Sequence, residues 1–289
     1  MSFEIVTDSS ANLTDSIIDQ YGIHILSLIF RVGEEEHFSY VKGEETRAKP
    51  FYERMRRGDI ITTGLINMQL CREVFEGILK NGRDILFIGF SSALSGTFDV
   101  GAMTARQLQE EYPDRRIVAV DSLAASMGEG LLVYHAALLR KQGKTLDEVH
   151  GWLDENIPRL CHWFTVGDLQ YLKRGGRISA TSAIVGNLLR IKPILHVDDE
   201  GRLTPVGKIV GRRESLNELV KRMKETCIHP EEQTVAITHG DALEDAGYVE
   251  KMVRDLLHVK DVIMNYVDLV IGAHCGPGTI ALFFLGSHR

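Results

Sequence analysis

The chain has 289 residues, 44% apolar and 25% charged, enough to bury a sizeable core as one large α/β domain or as two lobes. Its formal net charge of −7 argues against a nucleic-acid partner, which needs a basic surface. No run of about 18 apolar residues marks an integral membrane segment, and Met1-Ser2-Phe3-Glu4 lacks the basic start and apolar stretch of a secretion signal. The expected location is therefore cytoplasmic.

Several short apolar runs end in small polar residues and lead into helix-like segments, the pattern of parallel βαβ units. Phe3 to Thr7 runs into Asp8-Ser9-Ser10, Asp84 to Phe90 into Ser91-Ser92, and Ile117 to Val120 into Asp121-Ser122. In an open parallel sheet these polar clusters gather at the carboxyl ends of the strands, where the ligand crevice forms. Helices are predicted over Pro50 to Arg57, Asn67 to Lys80, Gly96 to Glu111, Ala124 to Lys141 and Thr145 to Asn156. A second lobe is predicted from about Pro158. Strands at Cys161 to Val166, Lys192 to Val197, Leu203 to Ile209, Thr234 to Thr238 and Val262 to Val267 alternate there with helices at Arg213 to Thr226 and Asp245 to Leu257. Asp199-Glu200-Gly201 supplies a hairpin turn, so this lobe contains antiparallel elements.

Four cysteines, Cys71, Cys161, Cys227 and Cys275, lie far apart and form no CxxC pair, which predicts buried free thiols rather than a metal or redox centre. Ser95 stands where a strand hands over to a helix. It is a suitable N-cap, and the amides of Gly96 and Thr97 at that helix terminus favour an anion. Thr62-Thr63-Gly64 reads as a crevice loop ahead of Asn67. The glycines around His274, in Gly272-Ala273-His274-Cys275-Gly276-Pro277-Gly278, predict tight turns and a close backbone approach. Gly276 to Ala281 matches GxGxxA formally, but no βαβ unit follows it. Gly89-Phe90-Ser91-Ser92-Ala93 lacks the last glycine of a nucleophile elbow. A Ser95/His274 acyl-ester hydrolase, with Asp241 or Asp268 as orienting acid, is the alternative enzyme reading. From Lys173 to Arg213, nine basic residues face Asp198, Asp199 and Glu200, a local balance of +6. Within it Arg174 and Arg177 flank Gly175-Gly176, a turn after which Ser179 or Thr181 can cap a helix. The pair suits an acidic or phosphorylated partner, or is simply a solvated face.

Five ordered motifs carry a resemblance to the DegV family of bacterial fatty-acid-binding proteins, which includes the binding subunits of fatty acid kinase. They are Thr7-Asp8-Ser9-Ser10, Ser91 to Thr97, Asp121 to Gly128, Tyr171 to Ser179 and Ile271 to Gly278. The resemblance spans essentially the whole chain. It implies a two-lobed α/β fold, with a larger three-layer, parallel-sheet lobe over residues 1–158 and a smaller α/β lobe over 159–289. It also implies a long-chain fatty acid, such as palmitate or oleate, as ligand and a separate fatty acid kinase as partner. Carried over residue by residue, the carboxylate ligands are Thr63, Ser95 and His274. The family's TSQP-like loop reads Thr63-Gly64-Leu65-Ile66 here, which leaves Thr62 as a substitute for Thr63. No lysine or arginine holds the carboxylate in that scheme, Arg174 and Arg177 dock the partner, and no catalytic residue, cofactor or metal is expected.

Overall fold

The computed structural model describes residues 2–44, 47–178 and 190–289. The chain opens with β1 (Phe3–Asp8), α1 (Asp15–Tyr21) and β2 (His24–Leu26), then an antiparallel pair, β3 (Ile29–Val32) and β4 (Glu35–Phe38). There follow α2 (Ala48–Arg57), β5 (Ile61–Gly64), α3 (Met68–Lys80), β6 (Asp84–Gly89), α4 (Thr97–Glu111) and β7 (Ile117–Asp121). β1, β2, β6 and β7 form a wholly parallel sheet in the order β2-β1-β6-β7. Every residue of β6 is buried, and only Glu4 of β1 is not, as expected of central strands covered on both faces.

Two connecting helices, α5 (Met127–Lys141) and α6 (Leu146–Asn156), lead out of this sheet. Thr145 and Glu148 form a reciprocal capping box at the start of α6. A second sheet is then built from β8 (Leu160–Thr165), β9 (Ile191–Val197), β10 (Leu203–Val210), β11 (Thr234–His239), β12 (Asp261–Tyr266) and β13 (Ile280–Leu285). Its order is β10-β9-β8-β13-β11-β12, antiparallel throughout except for β11 with β12. The intervening helices are α7 (Gln170–Arg174), α8 (Arg212–Thr226), α9 (Leu243–Leu257) and α10 (Leu269–Cys275). The α/β class, the parallel sheet and a separate sheet with antiparallel pairing all match the sequence reading.

α5 joins the two sheets because it is buried on more than one face. Its glycines make this possible: a Cβ at Gly130 would collide with the Ala11 carbonyl, and one at Gly128 with the His162 ring on β8. One apolar cluster consequently runs from Phe3 and Ile88 through Leu131 and Leu132 to Phe164 and Phe283. Arg289 adds a polar tie, donating to the carbonyls of Leu123, Ile157, Leu160 and Asp198.

Two local readings change. Thr62-Thr63-Gly64 is not a loop but strand β5, pairing with β3 in a three-stranded antiparallel sheet of order β4-β3-β5. The partner strand comes from far earlier in the chain, so nothing local marks the segment as a strand. His274 sits in the last turn of α10 rather than among tight turns, which begin only afterwards at Gly276 and Gly278, both near φ +79°. Asp268 enforces that helix by accepting the amides of Val270 at 2.9 Å and Ile271 at 3.2 Å. Ser179 and Thr181, the predicted caps after the arginine turn, lie outside the described residues.

Candidate ligand-binding site

Between the sheets lies a cavity with about 870 Å³ of empty space, part of it open to solvent. Its walls are mainly apolar, including Phe90, Leu94, Phe164, Leu172, Leu203 and Phe283. Ala281 and Phe283 line it from one face of β13, with Thr279 just ahead of the strand, and His162 and Phe164 from the paired strand β8, following the period-2 alternation of side chains. Thr279 Oγ1 donates to the Cys275 carbonyl and so marks the end beside α10. Four residues on, at about 3.3 Å each, Phe283 lies roughly 13 Å away along the cavity.

The polar end carries the three predicted residues, all of which line this cavity. Alternation along β5 leaves Thr62 exposed and turns Thr63 inward. Thr63 Oγ1 lies 2.8 Å from His274 Nε2. Gly175 closes against the other ring nitrogen, since a Cβ there would collide with His274 Nδ1. Burial, with the Arg177 guanidinium as a second cause, pushes the His274 imidazole down to about 4, so it is neutral near pH 7. A neutral ring keeps one donor and one acceptor.

Ser95 differs from its predicted role as cap. Gly96 is the N-cap of α4, and Ser95, one residue earlier, accepts the Thr97 amide at 3.3 Å and lies 3.0 Å from Thr97 Oγ1. The Thr97 amide is thus engaged. Among the described residues the Gly96 amide has no acceptor, which leaves it as the free donor at the positive end of α4.

Arg174 and Arg177 do not behave alike. Arg174 is exposed, with its guanidinium 5.1 Å from the centre of the Tyr171 ring. Arg177 folds inward, donating from Nε to Leu94 O at 3.1 Å and from Nη1 to Gly175 O at 2.6 Å, and it lines the ligand cavity. An arginine therefore stands in the same wall as Thr63, Ser95 and His274. Its two carbonyl acceptors, both brought close by the turn, hold it there.

The hydrolase arrangement is not assembled. Asp241 Oδ2 is held by Arg56 at 2.5 Å and Asp268 caps α10, so neither orients His274, whose Nε2 faces Thr63. At the far end of the cavity Ser126, His162 and Thr238 contribute polar atoms the sequence reading did not single out. Ser126 Oγ lies 2.9 Å from Asn12 Oδ1 and 3.2 Å from Thr238 Oγ1. Its backbone φ of +56° is unusual for a non-glycine residue and marks a constrained position with no signal in the sequence. Cys71, Cys161 and Cys275 are buried free thiols, as predicted, and Cys227 is half-buried.

Fold and site together define a two-lobed α/β protein with an apolar ligand cavity headed by hydroxyls and an imidazole. The chain belongs to the DegV family, described as uncharacterised proteins, whose family model matches residues 2–287. A DegV domain-containing protein of Clostridium perfringens is 44% identical over 287 residues, 99% of this chain and 98% of that one. A fatty-acid-binding DegV family protein of Thermus thermophilus superposes with a TM-score of 0.89 at 26% identity, over 99% of this chain and all of its own. DegV of Bacillus subtilis, a fatty acid binding protein, gives 0.84 at 27%, over 99% and 100%. Among the described residues no helix is long and apolar enough to cross a membrane.

Proposed function

We propose that the protein binds one long-chain fatty acid, its chain in the cavity and its carboxyl group at Thr63, Ser95 and His274, and presents that group to a separate fatty acid kinase in the cytoplasm. The observation that carries this is an apolar cavity headed by the Thr63–His274 pair and the Ser95 hydroxyl. The fatty-acid binding of the Thermus and Bacillus relatives supports it. Residues 1–158 and 159–289 are taken as the two lobes, and both contribute cavity walls.

The energetics fit a carrier. About 14 methylenes at about 0.8 kcal/mol each contribute up to about 11 kcal/mol, an upper limit near 10 nM affinity. The head group must not cancel that gain, because a buried carboxylate without partners is costly. The Ser95 hydroxyl, the Thr63 hydroxyl with the neutral His274 Nε2–H donating to it from behind, and the Gly96 amide supply its partners. Arg174, with Arg177 beside it, gives the kinase a cationic docking point on an acidic chain.

Denaturing extraction of purified protein followed by mass spectrometry is expected to release roughly one fatty acid per chain, since an empty apolar tunnel forfeits packing. Folded, ligand-free protein that takes up neither palmitate nor oleate would sink the carrier reading. Ser95→Ala is expected to weaken binding by about 1–3 kcal/mol with the fold intact, because the carboxylate loses one partner. Acyl-ester turnover by the wild type, abolished in this variant, would establish the hydrolase instead.

A further inference from the structure

The wall of the ligand cavity is buried or half-buried at every described residue but one. Leu65 lines the cavity and is at the same time 41% exposed. Exposed leucines are common on protein surfaces, but here one side chain borders both the ligand space and solvent. We propose that Leu65 is the gate through which the ligand enters and leaves, opened by rotation of its side chain. This rests on the fatty-acid reading above.

The backbone around Leu65 is fixed, which confines the movement to that side chain. Gly64, the residue before it, ends β5 against Ile29, where an added Cβ would lie 2.7 Å from Ile29 Cγ1. Ile66, the residue after it, is buried in the apolar cluster that includes Phe30 and Phe75. Asn67 then caps α3 by accepting the Leu70 amide at 3.1 Å. Leu65 is thus anchored on both sides, while its isobutyl group rests on the start of α4. A Cβ built on Gly96 would come 3.4 Å from Leu65 Cδ1 and 3.9 Å from Cδ2. The leucine therefore covers the residue whose amide is free, next to Ser95, and shields the head-group end of the cavity rather than its tail. Rotamer changes of exposed side chains take picoseconds to nanoseconds, so opening needs no movement of a strand or helix.

An apolar gate suits this cargo. The carboxyl group, nearest to Leu65, leaves first, and the methylenes follow along the leucine methyls, exchanging one apolar contact for another before they meet water. When closed, the same side chain keeps water from the hydrogen bonds of the carboxyl group, which are stronger in a dry site.

Stopped-flow measurement, with free palmitate followed by a fluorescent fatty-acid sensor, gives the rates of release from loaded protein and of uptake by delipidated protein. Leu65→Ala is expected to raise both rates about tenfold and to leave their ratio, the dissociation constant, within about threefold, because a gate acts on the barrier and not on the end states. Leu65→Trp, a larger cover, is expected to slow both. Met68→Ala alters a neighbouring side chain of similar exposure, 45%, outside the cavity wall, and leaves both rates unchanged. Wild-type rates in both Leu65 variants overturn the gate. So does faster release with unchanged uptake in Leu65→Ala, the result expected if Leu65 only contacts the bound acid. Failure of the wild type to bind palmitate removes the fatty-acid reading itself, and the gate with it.

Discussion

Ala281→Phe is expected to abolish fatty-acid uptake while leaving a folded protein. Ala281 is buried on β13, opposite Phe164 on β8 and Thr238 on β11, and midway between the cavity-lining residues Thr279 and Phe283. A benzyl group there projects into empty space rather than into close-packed neighbours, so its stability cost stays near the low end of the usual 1–3 kcal/mol for overpacking, or about 1 kcal/mol. For the ligand the obstacle is severe. Excluding even four methylenes forfeits about 3 kcal/mol, or at least about 100-fold in affinity. Titration of the delipidated variant with palmitate, alongside its denaturation curve, measures both effects. Unchanged palmitate affinity would show that the acyl chain lies elsewhere.

The second large effect concerns acids buried behind the site. Asp8 and Glu129 are fully buried, and Ser10 Oγ lies 2.5 Å from Asp8 Oδ1 and 2.8 Å from Glu129 Oε2. One hydroxyl proton cannot serve two carboxylates, so one of the pair must itself carry a proton. Asp8 also accepts the amides of Ser10 at 2.9 Å and Phe90 at 3.0 Å, which suits the charged form. Glu129 is then the acid, donating to Ser10 and accepting from Thr7 Oγ1 at 2.8 Å. Burial raises both groups, Glu129 well above its ordinary value with the Asp8 charge as second cause. Burial likewise pushes Asp268 up to about 7.

Raised carboxyl groups bind protons more tightly in the folded chain than in the unfolded one, so their contribution to stability is complete at low pH and is lost as pH rises. For Asp268 the loss runs from about pH 4 to about pH 7 and is of the order of 4 kcal/mol. Glu129 extends the loss to higher pH. Urea denaturation is expected to show the wild type markedly less stable at pH 8 than at pH 5. Glu129→Gln keeps a donor toward Ser10 and an acceptor toward Thr7, so it is expected to flatten the alkaline part of this dependence at little cost. Glu129→Ala leaves the Thr7 hydroxyl without its acceptor and the Ser10 hydroxyl without its donor, beside a void, and is expected to cost about 3–5 kcal/mol. A pH-independent wild type, or a Gln variant as unstable as the Ala variant, would rule out the protonated bridge.

Much of this protein follows from local sequence. The runs at Phe3, Asp84 and Ile117 are apolar enough to be recognised as strands of a parallel sheet, and α3, α6 and α8 carry clear helical patterns with usable caps such as Asn67 and Thr145. Thr63, Ser95 and His274 could be singled out as polar side chains beside glycines, and the fold brings all three to one cavity. What the tertiary structure decided was which way those side chains face. Thr63 rather than Thr62 turns into the cavity because pairing with β3 makes the segment a strand with alternating faces. Arg177 parts from Arg174 because its turn delivers it to the Leu94 and Gly175 carbonyls. The proton shared through Ser10 joins residues on β1's carboxyl end and on α5, over a hundred positions apart. Local sequence sets propensity and burial tendency, whereas register, facing and shared protons depend on partners that only the folded chain brings together.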